Sequence, residues 1–225
     1  VARFSHHMNC GLENRKDVVL TLGSTRSPID DIRFVQNTSS GRTGFALADD
    51  LYRHGHDVTC VAGFTSVSAP SWLPLILEAF EPDTMLKELL VLAKDKIDAW
   101  IHTAAVLDYI VKNPAKGKLA SQQGDLTVEL VEGEKHIERL REMCKGSVRI
   151  GFKLESGIKQ KDLIYRATAQ IEKAGMTAVV ANRLEDLGQK DKPRGYLVDE
   201  FGSHFVLENQ KQMCEAIRTF VERGD

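Results

Sequence analysis

Thr25-Arg26-Ser27-Pro28-Ile29-Asp30-Asp31-Ile32-Arg33-Phe34-Val35-Gln36-Asn37-Thr38-Ser39-Ser40-Gly41-Arg42-Thr43-Gly44-Phe45 joins an apolar run, Val18 to Leu22, to a helical pattern over Gly44 to His54. The stretch is therefore a strand-to-helix loop. It is far longer than the usual ~2–6 residues of such a connection, and loops of that length tend to carry function. It closes on small and hydroxyl residues. Ser39, Ser40 and Gly41 let backbone N–H groups face outward where the helix dipole favours anions, and Thr38, Ser39 and Ser40 are residue types that also cap a helix. Arg26, Arg33, Asn37 and Arg42 add donors suited to anionic oxygens.

Outward from this loop the chain alternates. Asp17 to Leu22, Val58 to Ala62, Leu75 to Phe80, Ala99 to Thr103, Arg149 to Leu154 and Ala178 to Ala181 read as short buried strands. Between them lie helical patterns: Gly44 to His54, one capped by Asp83 and running to about Lys96, Glu134 to Cys144 with Ile137, Leu140 and Met143 inward, and Asp162 to Gly175. Tyr196 to Asp199 and His204 to Leu207 flank a turn and predict a hairpin, and Asn209 to Arg223 is a terminal helix. The pattern predicts an α/β fold, a three-layer Rossmann-like, mostly parallel sheet with helices on both faces. Ligands bind such sheets at the carboxyl ends of the strands, which brings the long loop and Ala104 to Tyr109 to one edge. A polar stretch at about 107–125, with Lys112, Lys116 and Lys118, reads as a flap that leaves the sheet and returns through a strand at Leu126 to Leu130.

Composition narrows the classes. The 225 residues suffice for one domain with a lobe, taken as residues 15–225, with residues 1–14 read as a disordered tail or a remnant of processing or expression. A net charge of −2 argues against duplex nucleic acid as a partner. No apolar run approaches the ~18 residues of a membrane span, and no signal-peptide pattern is seen. Cys10, Cys60, Cys144 and Cys214 form no C-x-x-C pair, so a reduced, cytoplasmic setting is expected. His6 and His7, His54, His56 and His136 are expected at the surface.

Taken in order, Gly23-x-Thr25-Arg26-x-Pro28-Ile29-Asp30, Arg33-Phe34-x-x-Asn37-x-Ser39-Ser40-Gly41-Arg42-x-Gly44-Phe45-Ala46, Ala104-Ala105-Val106-x-Asp108-Tyr109, Gly151-Phe152-Lys153-Leu154-Glu155 and Val180-Ala181-Asn182 resemble phosphopantothenoylcysteine synthetase (phosphopantothenate–cysteine ligase), the second half of the bacterial bifunctional coenzyme A protein. The resemblance spans about residues 17–222. It implies a ligase that joins 4′-phosphopantothenate to L-cysteine through an acyl-nucleotidylate. The co-substrate is CTP or ATP, Mg²⁺ assists, and pyrophosphate and nucleoside monophosphate are released. It further implies a homodimer and admits a separate phosphopantothenoylcysteine decarboxylase as a partner. No flavin is expected, because the decarboxylase half has no room here.

The same resemblance implies site residues. Asn37 would hold the acyl intermediate, with Arg33 acting in the second step or steadying the loop. Lys118 would reach the phosphates from the flap, with Lys116 as its competitor for that assignment. Gly23, Ser39, Ser40, Gly41, Thr103, Ala104 and Ala105 would surround the nucleotide, with Phe152 near base or ribose, or simply in the core. Lys173 lies near the family's helix lysines, one position out of register. Ala105 and Asn182 would join Asn37 on the substrate, and Asp108 would bind the cation.

The chain departs from the pattern at Leu22-Gly23-Ser24-Thr25, which lacks one glycine, at the shortened run Lys118-Leu119-Ala120-Ser121, and at Val131 to Ile137, which has no proline and more acid. Two other readings stand beside the ligase: a catalytically weakened nucleotide-binding relative acting as a subunit or regulator, and an NAD(P)-binding Rossmann oxidoreductase. The second lacks a G-x-G-x-x-G after the first strand.

Overall fold

The computed structural model describes residues 15–73, 75–121 and 124–224. The expectations for residues 1–14, and for Cys10 within them, lie outside the described residues. The central sheet has eight strands in the order β12-β11-β10-β9-β6-β1-β4-β5. They are β1 (Asp17–Leu22), β4 (Asp57–Ala62), β5 (Leu75–Glu78), β6 (Ala99–His102), β9 (Val148–Glu155), β10 (Ala178–Arg183), β11 (Gly195–Asp199) and β12 (His204–Leu207). The first six run parallel, and the β11–β12 hairpin is added antiparallel at one edge. The mostly parallel α/β sheet expected from the alternation is therefore the fold.

Strand alternation sorts the core onto two faces. Val18, Leu20 and Leu22 of β1 and Ile101 of β6 meet α1 (Arg42–Arg53), whose Phe45, Leu47, Ala48 and Leu51 recur at helical spacing. Met213, Ile217 and Val221 of α5 (Gln210–Arg223) cover the same face. On the opposite face Val19 and Trp100 meet Met85 and Leu89 of α2 (Pro82–Leu92), while Val179, Ala181 and Val198 meet Leu163, Ala167 and Ile171 of α4 (Gln160–Ala174). Each fully buried side chain of this size contributes about 1.5–3 kcal/mol relative to exposure. Among the described residues no helix is long and apolar enough to cross a membrane.

Several local expectations need correction. Asp83 is not the cap of α2; Glu81 is, without a side-chain bond, and Pro82 fills the first helical position, where its missing N–H costs nothing. Within the long loop β2 (Arg26–Pro28) pairs antiparallel with β3 (Phe34–Gln36), a hairpin the polar sequence concealed. Residues 126–129 form no strand; β8 is Leu130–Glu132, paired with β7 (Tyr109–Val111). Leu126 is 54% exposed, so the alternation there finds no surface to cover.

The helix expected over 134–144 shrinks to α3 (His136–Arg139) followed by turns. The buried Arg149 guanidinium donates to the Ile137 carbonyl at 2.7 Å, and the Arg141 amide turns instead to Glu138 O. Leu140 and Cys144 are buried, but Met143 is 42% exposed and does not join them in the core. His56 and His136 are buried, not at the surface.

Candidate functional site

The chain runs from β1 outward to β4 and β5, then returns to β6 on the other side of β1 and continues to β9 and β10. The strand order reverses between β1 and β6, and a crevice opens outside their carboxyl ends, the place where such sheets bind ligands. The cleft here holds about 590 Å³ and is lined from several elements: Gly23 after β1, Thr38 to Gly44 before and in α1, His102 at the end of β6 and Thr103 to Val106 after it, Phe152 on β9 and Asn182 on β10.

The long loop is sewn to the segment after β6. Ala105 N–H donates to Gly23 O (2.8 Å) and Thr25 N–H to Ala105 O (3.3 Å). The Thr25 hydroxyl accepts from Leu107 N–H and the Ser27 hydroxyl from Val111 N–H, each at 2.9 Å. The Asn37 amide nitrogen donates to the carbonyls of Ala105 (3.3 Å) and Val106 (3.1 Å). Residues about 70 apart in sequence are thereby fixed as one rim.

The start of α1 faces this rim. Its cap is Gly41, in a left-handed conformation and with no side-chain capping bond, rather than Thr38, Ser39 or Ser40. Ser40 Oγ accepts from Arg42 N–H (3.3 Å), and Phe45 N–H is taken by Gly41 O. The N–H groups of Thr43 and Gly44 between them find no acceptor among the described residues and are left to a ligand, as a helix start leaves them.

The structure brings ten of the predicted residues to this cleft: Gly23, Ser39, Ser40, Gly41, Thr103, Ala104, Ala105, Asp108, Phe152 and Asn182. Asn37 stands one residue behind the wall. Arg33 is set back further: it pairs with the buried Asp30 at 2.8 Å and donates to Leu119 O at 2.7 Å. Lys118, next to Leu119, is exposed and outside the cleft lining. Lys173 is not brought to the cleft; it is exposed on α4 and pairs with Glu138 at 2.8 Å, which raises its pKa. Gln170, one helical turn earlier, lines the cleft in its place.

Charge in the cleft is mostly committed. Asp108, exposed, pairs with Lys135 from the acid-rich segment, and Lys153 pairs with Glu155 at 3.2 Å. Glu134 pairs with Arg139 at 3.1 Å. His102 and His136 line the inner wall uncharged. Burial, with Arg149 and His136 nearby, pushes His102 down to about 3; burial pushes His136 down to about 4 against the pull of Asp83 and the Pro82 carbonyl. Sequence reasoning did not place His102, Gln170 or Arg194 here. No motif marks them; His102 alone was inferable, as the last residue of a strand aimed at the ligand edge.

Residues 13–222 match the model of the family described as DNA/pantothenate metabolism flavoprotein C-terminal domain. A coenzyme A biosynthesis bifunctional protein CoaBC from Thermococcus kodakarensis is 34% identical over 209 residues, covering 92% of this chain and 51% of that protein. The chain thus spans about half the length of the curated relatives it matches. Among solved structures, the DNA/pantothenate metabolism flavoprotein from Streptococcus pneumoniae superposes with a TM-score of 0.84 at 19% identity, over 93% of this chain and all of that one. The C-terminal domain of a CoaBC protein superposes with a TM-score of 0.76 at 25% identity, over 92% of this chain and 94% of that one.

Proposed function

This chain belongs to the DNA/pantothenate metabolism flavoprotein C-terminal domain family, and from that premise we propose that residues 15–225 act as the phosphopantothenate–cysteine ligase of coenzyme A biosynthesis. The observation that carries the proposal is the joining of residues 37–44 to residues 103–106 across the switch point of the sheet. An anion-receptive helix start there faces a backbone rim with no bulky side chain.

A carboxylate does not react with an amine until it gains a leaving group. The carboxylate of 4′-phosphopantothenate attacks the α-phosphorus of CTP or ATP, and pyrophosphate leaves. The cysteine amine then attacks the acyl carbon, and nucleoside monophosphate leaves with the former carboxylate oxygen. Both steps build charge on oxygens, which fixed donors stabilise without reorganising. The Thr43 and Gly44 N–H groups, with Ser39, Ser40 and Gly41 around them, hold phosphate oxygens. Asn37 orients the rim through its amide nitrogen and presents its amide oxygen to the incoming amine. Lys118 reaches the phosphates when the 107–125 segment closes.

No group of three acidic, histidine or cysteine side chains that would cage a metal occurs among the described residues. Magnesium bound with a nucleotide needs only one or two carboxylates beside the phosphate oxygens. Asp108, exposed at the cleft, fits that donor set, and the ion would neutralise phosphate charge there. The exposed Phe34, Tyr109 and Leu130 on the two small sheets, with Ile32 in the turn between β2 and β3, support a homodimer.

The test is pyrophosphate release with Mg²⁺, CTP or ATP, and phosphopantothenate. Release that requires phosphopantothenate is expected. One observation favours a second reading, a nucleotide-binding relative without turnover: Lys135 already occupies the Asp108 carboxylate. Nucleotide binding with no release from either triphosphate would establish that reading instead.

A further inference from the structure

Among the described residues, four lysine and arginine side chains line the cleft: Arg42, Lys135, Lys153 and Arg194. Arg42 is exposed to water, and Lys135 and Lys153 have carboxylate partners. Arg194 differs from all three. It is half-buried, and burial lowers its pKa, yet no acidic side chain pairs with it among the described residues. Its guanidinium makes one side-chain bond, donating to the Thr43 hydroxyl at 2.7 Å. Thr43 is the residue whose N–H is left open at the start of α1. A partly desolvated guanidinium without a counter-ion is disfavoured until an anion completes it.

The backbone under Arg194 is built to hold that position. The buried Asn182 amide nitrogen donates to Arg194 O at 3.0 Å. Gly195 follows, and a Cβ there would lie 2.7 Å from Ala181 O and 2.8 Å from the Asn182 amide nitrogen. Only glycine lets the chain press this closely against the end of β10. Asn182 and Gly195 fix the root of the side chain, and Thr43 fixes its tip.

We propose that Arg194 is the counter-charge for a phosphoryl group bound in the cleft, contacting it together with the Thr43 and Gly44 N–H groups, and that Asn182 is the positioning residue that holds Arg194 in place. The inference rests on the ligase reading for the identity of the phosphoryl group, which is either the triphosphate chain of the nucleotide or the 4′-phosphate of phosphopantothenate. It gives Asn182 a role through Arg194 rather than on substrate.

The test uses the whole chain with Arg194→Ala, Arg194→Lys, Asn182→Ala and the double variant Asn182→Ala/Arg194→Ala. Binding of inorganic tripolyphosphate is measured by calorimetry, and KM is measured separately for nucleotide and for phosphopantothenate. Loss of a charge-assisted bond weakens binding about 10- to 100-fold. Arg194→Ala is expected to show that loss, and Arg194→Lys a smaller one, since it keeps charge without the planar fork. Weakened tripolyphosphate binding with a raised nucleotide KM identifies the triphosphate; a raised phosphopantothenate KM alone identifies the 4′-phosphate. Asn182→Ala should raise the same KM with little change in kcat, and add nothing in the double variant. Folded Arg194→Lys and Arg194→Ala proteins with every affinity within twofold of wild type would overturn the proposal. So would additive effects of the two residues, for the positioning role. Arg194-dependent tripolyphosphate binding in a wild type without ligase turnover would leave the clamp standing and remove the ligase reading.

Discussion

The start of α1 in the cleft and the polar segment after β7 are held in different ways. The wall from Gly41 to Gly44 is packed into the sheet: a Cβ on Gly44 would sit 2.4 Å from Leu22 Cβ and 2.8 Å from Thr103 Oγ1. The polar segment from Lys112 to Glu129, which lies outside the cleft lining, is almost wholly exposed in its described residues and is tied down at few points. Ala115 N–H bonds Ile29 O at 2.9 Å, and Leu119 is gripped from both sides, its N–H by Asp30 (3.1 Å) and its carbonyl by Arg33 (2.7 Å). A wall with no free volume is pre-organised and gives fixed donors. A segment held at so few points opens when its latch at Leu119 is released, which suits an element that must admit and then cover substrate.

The largest effect should come from the packed wall. Gly44→Ala forces Leu22 or α1 to shift, at a cost of about 1–3 kcal/mol in stability, and it displaces the Thr43 and Gly44 N–H groups together. Thermal denaturation and pyrophosphate release should both drop; a variant with wild-type turnover would show that this wall is not the anion-binding one.

The latch comes next. Burial alone would raise the Asp30 carboxyl, but N–H bonds from Ile32, Arg33 and Leu119 and the Arg33 guanidinium outweigh it and hold the group well below the usual carboxylate range. Its stabilising contribution is therefore present above the unfolded value near pH ~4 and is lost as pH falls from there through the folded pKa. Asp30→Asn should flatten that acid limb and speed hydrogen exchange at the Leu119 amide, while exchange in β1 stays slow. Equal protection at Leu119 in both proteins would mean that the segment is held elsewhere.

A smaller effect concerns the inner wall. His136 titrates at about 4 and His102 at about 3 in the fold, both below the ordinary ~6.5. The unfolded chain binds protons first, so stability is full above ~6.5 and declines as pH falls toward those values, by at most about 1.4 kcal/mol per pH unit for each histidine. His136→Gln should make the fall in Tm between pH 6.5 and 5 shallower; an unchanged slope would remove His136 as its source. Least of all should Lys173→Ala matter, within about 0.5 kcal/mol in stability and with no change in nucleotide KM, because the lysine faces water and Glu138.

The sheet was legible because buried parallel strands such as Asp17–Leu22 and Ala99–His102 are short apolar runs, and α1 and α5 repeat their apolar residues every three or four positions. The end of the loop from Thr25 to Phe45, which lines the cleft, was legible as a candidate site for the same local reason: hydroxyls, glycines and arginines precede a helix. What escaped depends on contacts distant in sequence. Arg149 takes the Ile137 carbonyl and ends α3 early, and no residue of 134–144 announces that. The β7–β8 pair forms from segments 19 residues apart, neither of which alternates strongly. Lys173 was drawn to the site by residue type, whereas helical phase puts Gln170 there. Arg194 is 151 residues from Thr43, which its side chain reaches.

The decisive measurement is the fate of carboxylate oxygen during turnover. Phosphopantothenate labelled with ¹⁸O in its carboxylate would be incubated with the protein, Mg²⁺, cysteine and CTP or ATP, and the products weighed by mass spectrometry. Attack on the α-phosphorus predicts one ¹⁸O in the nucleoside monophosphate, unlabelled pyrophosphate, and an amide that keeps the other ¹⁸O. Label in inorganic phosphate, or amide formation with unlabelled nucleoside monophosphate, would contradict the acyl-nucleotidylate route.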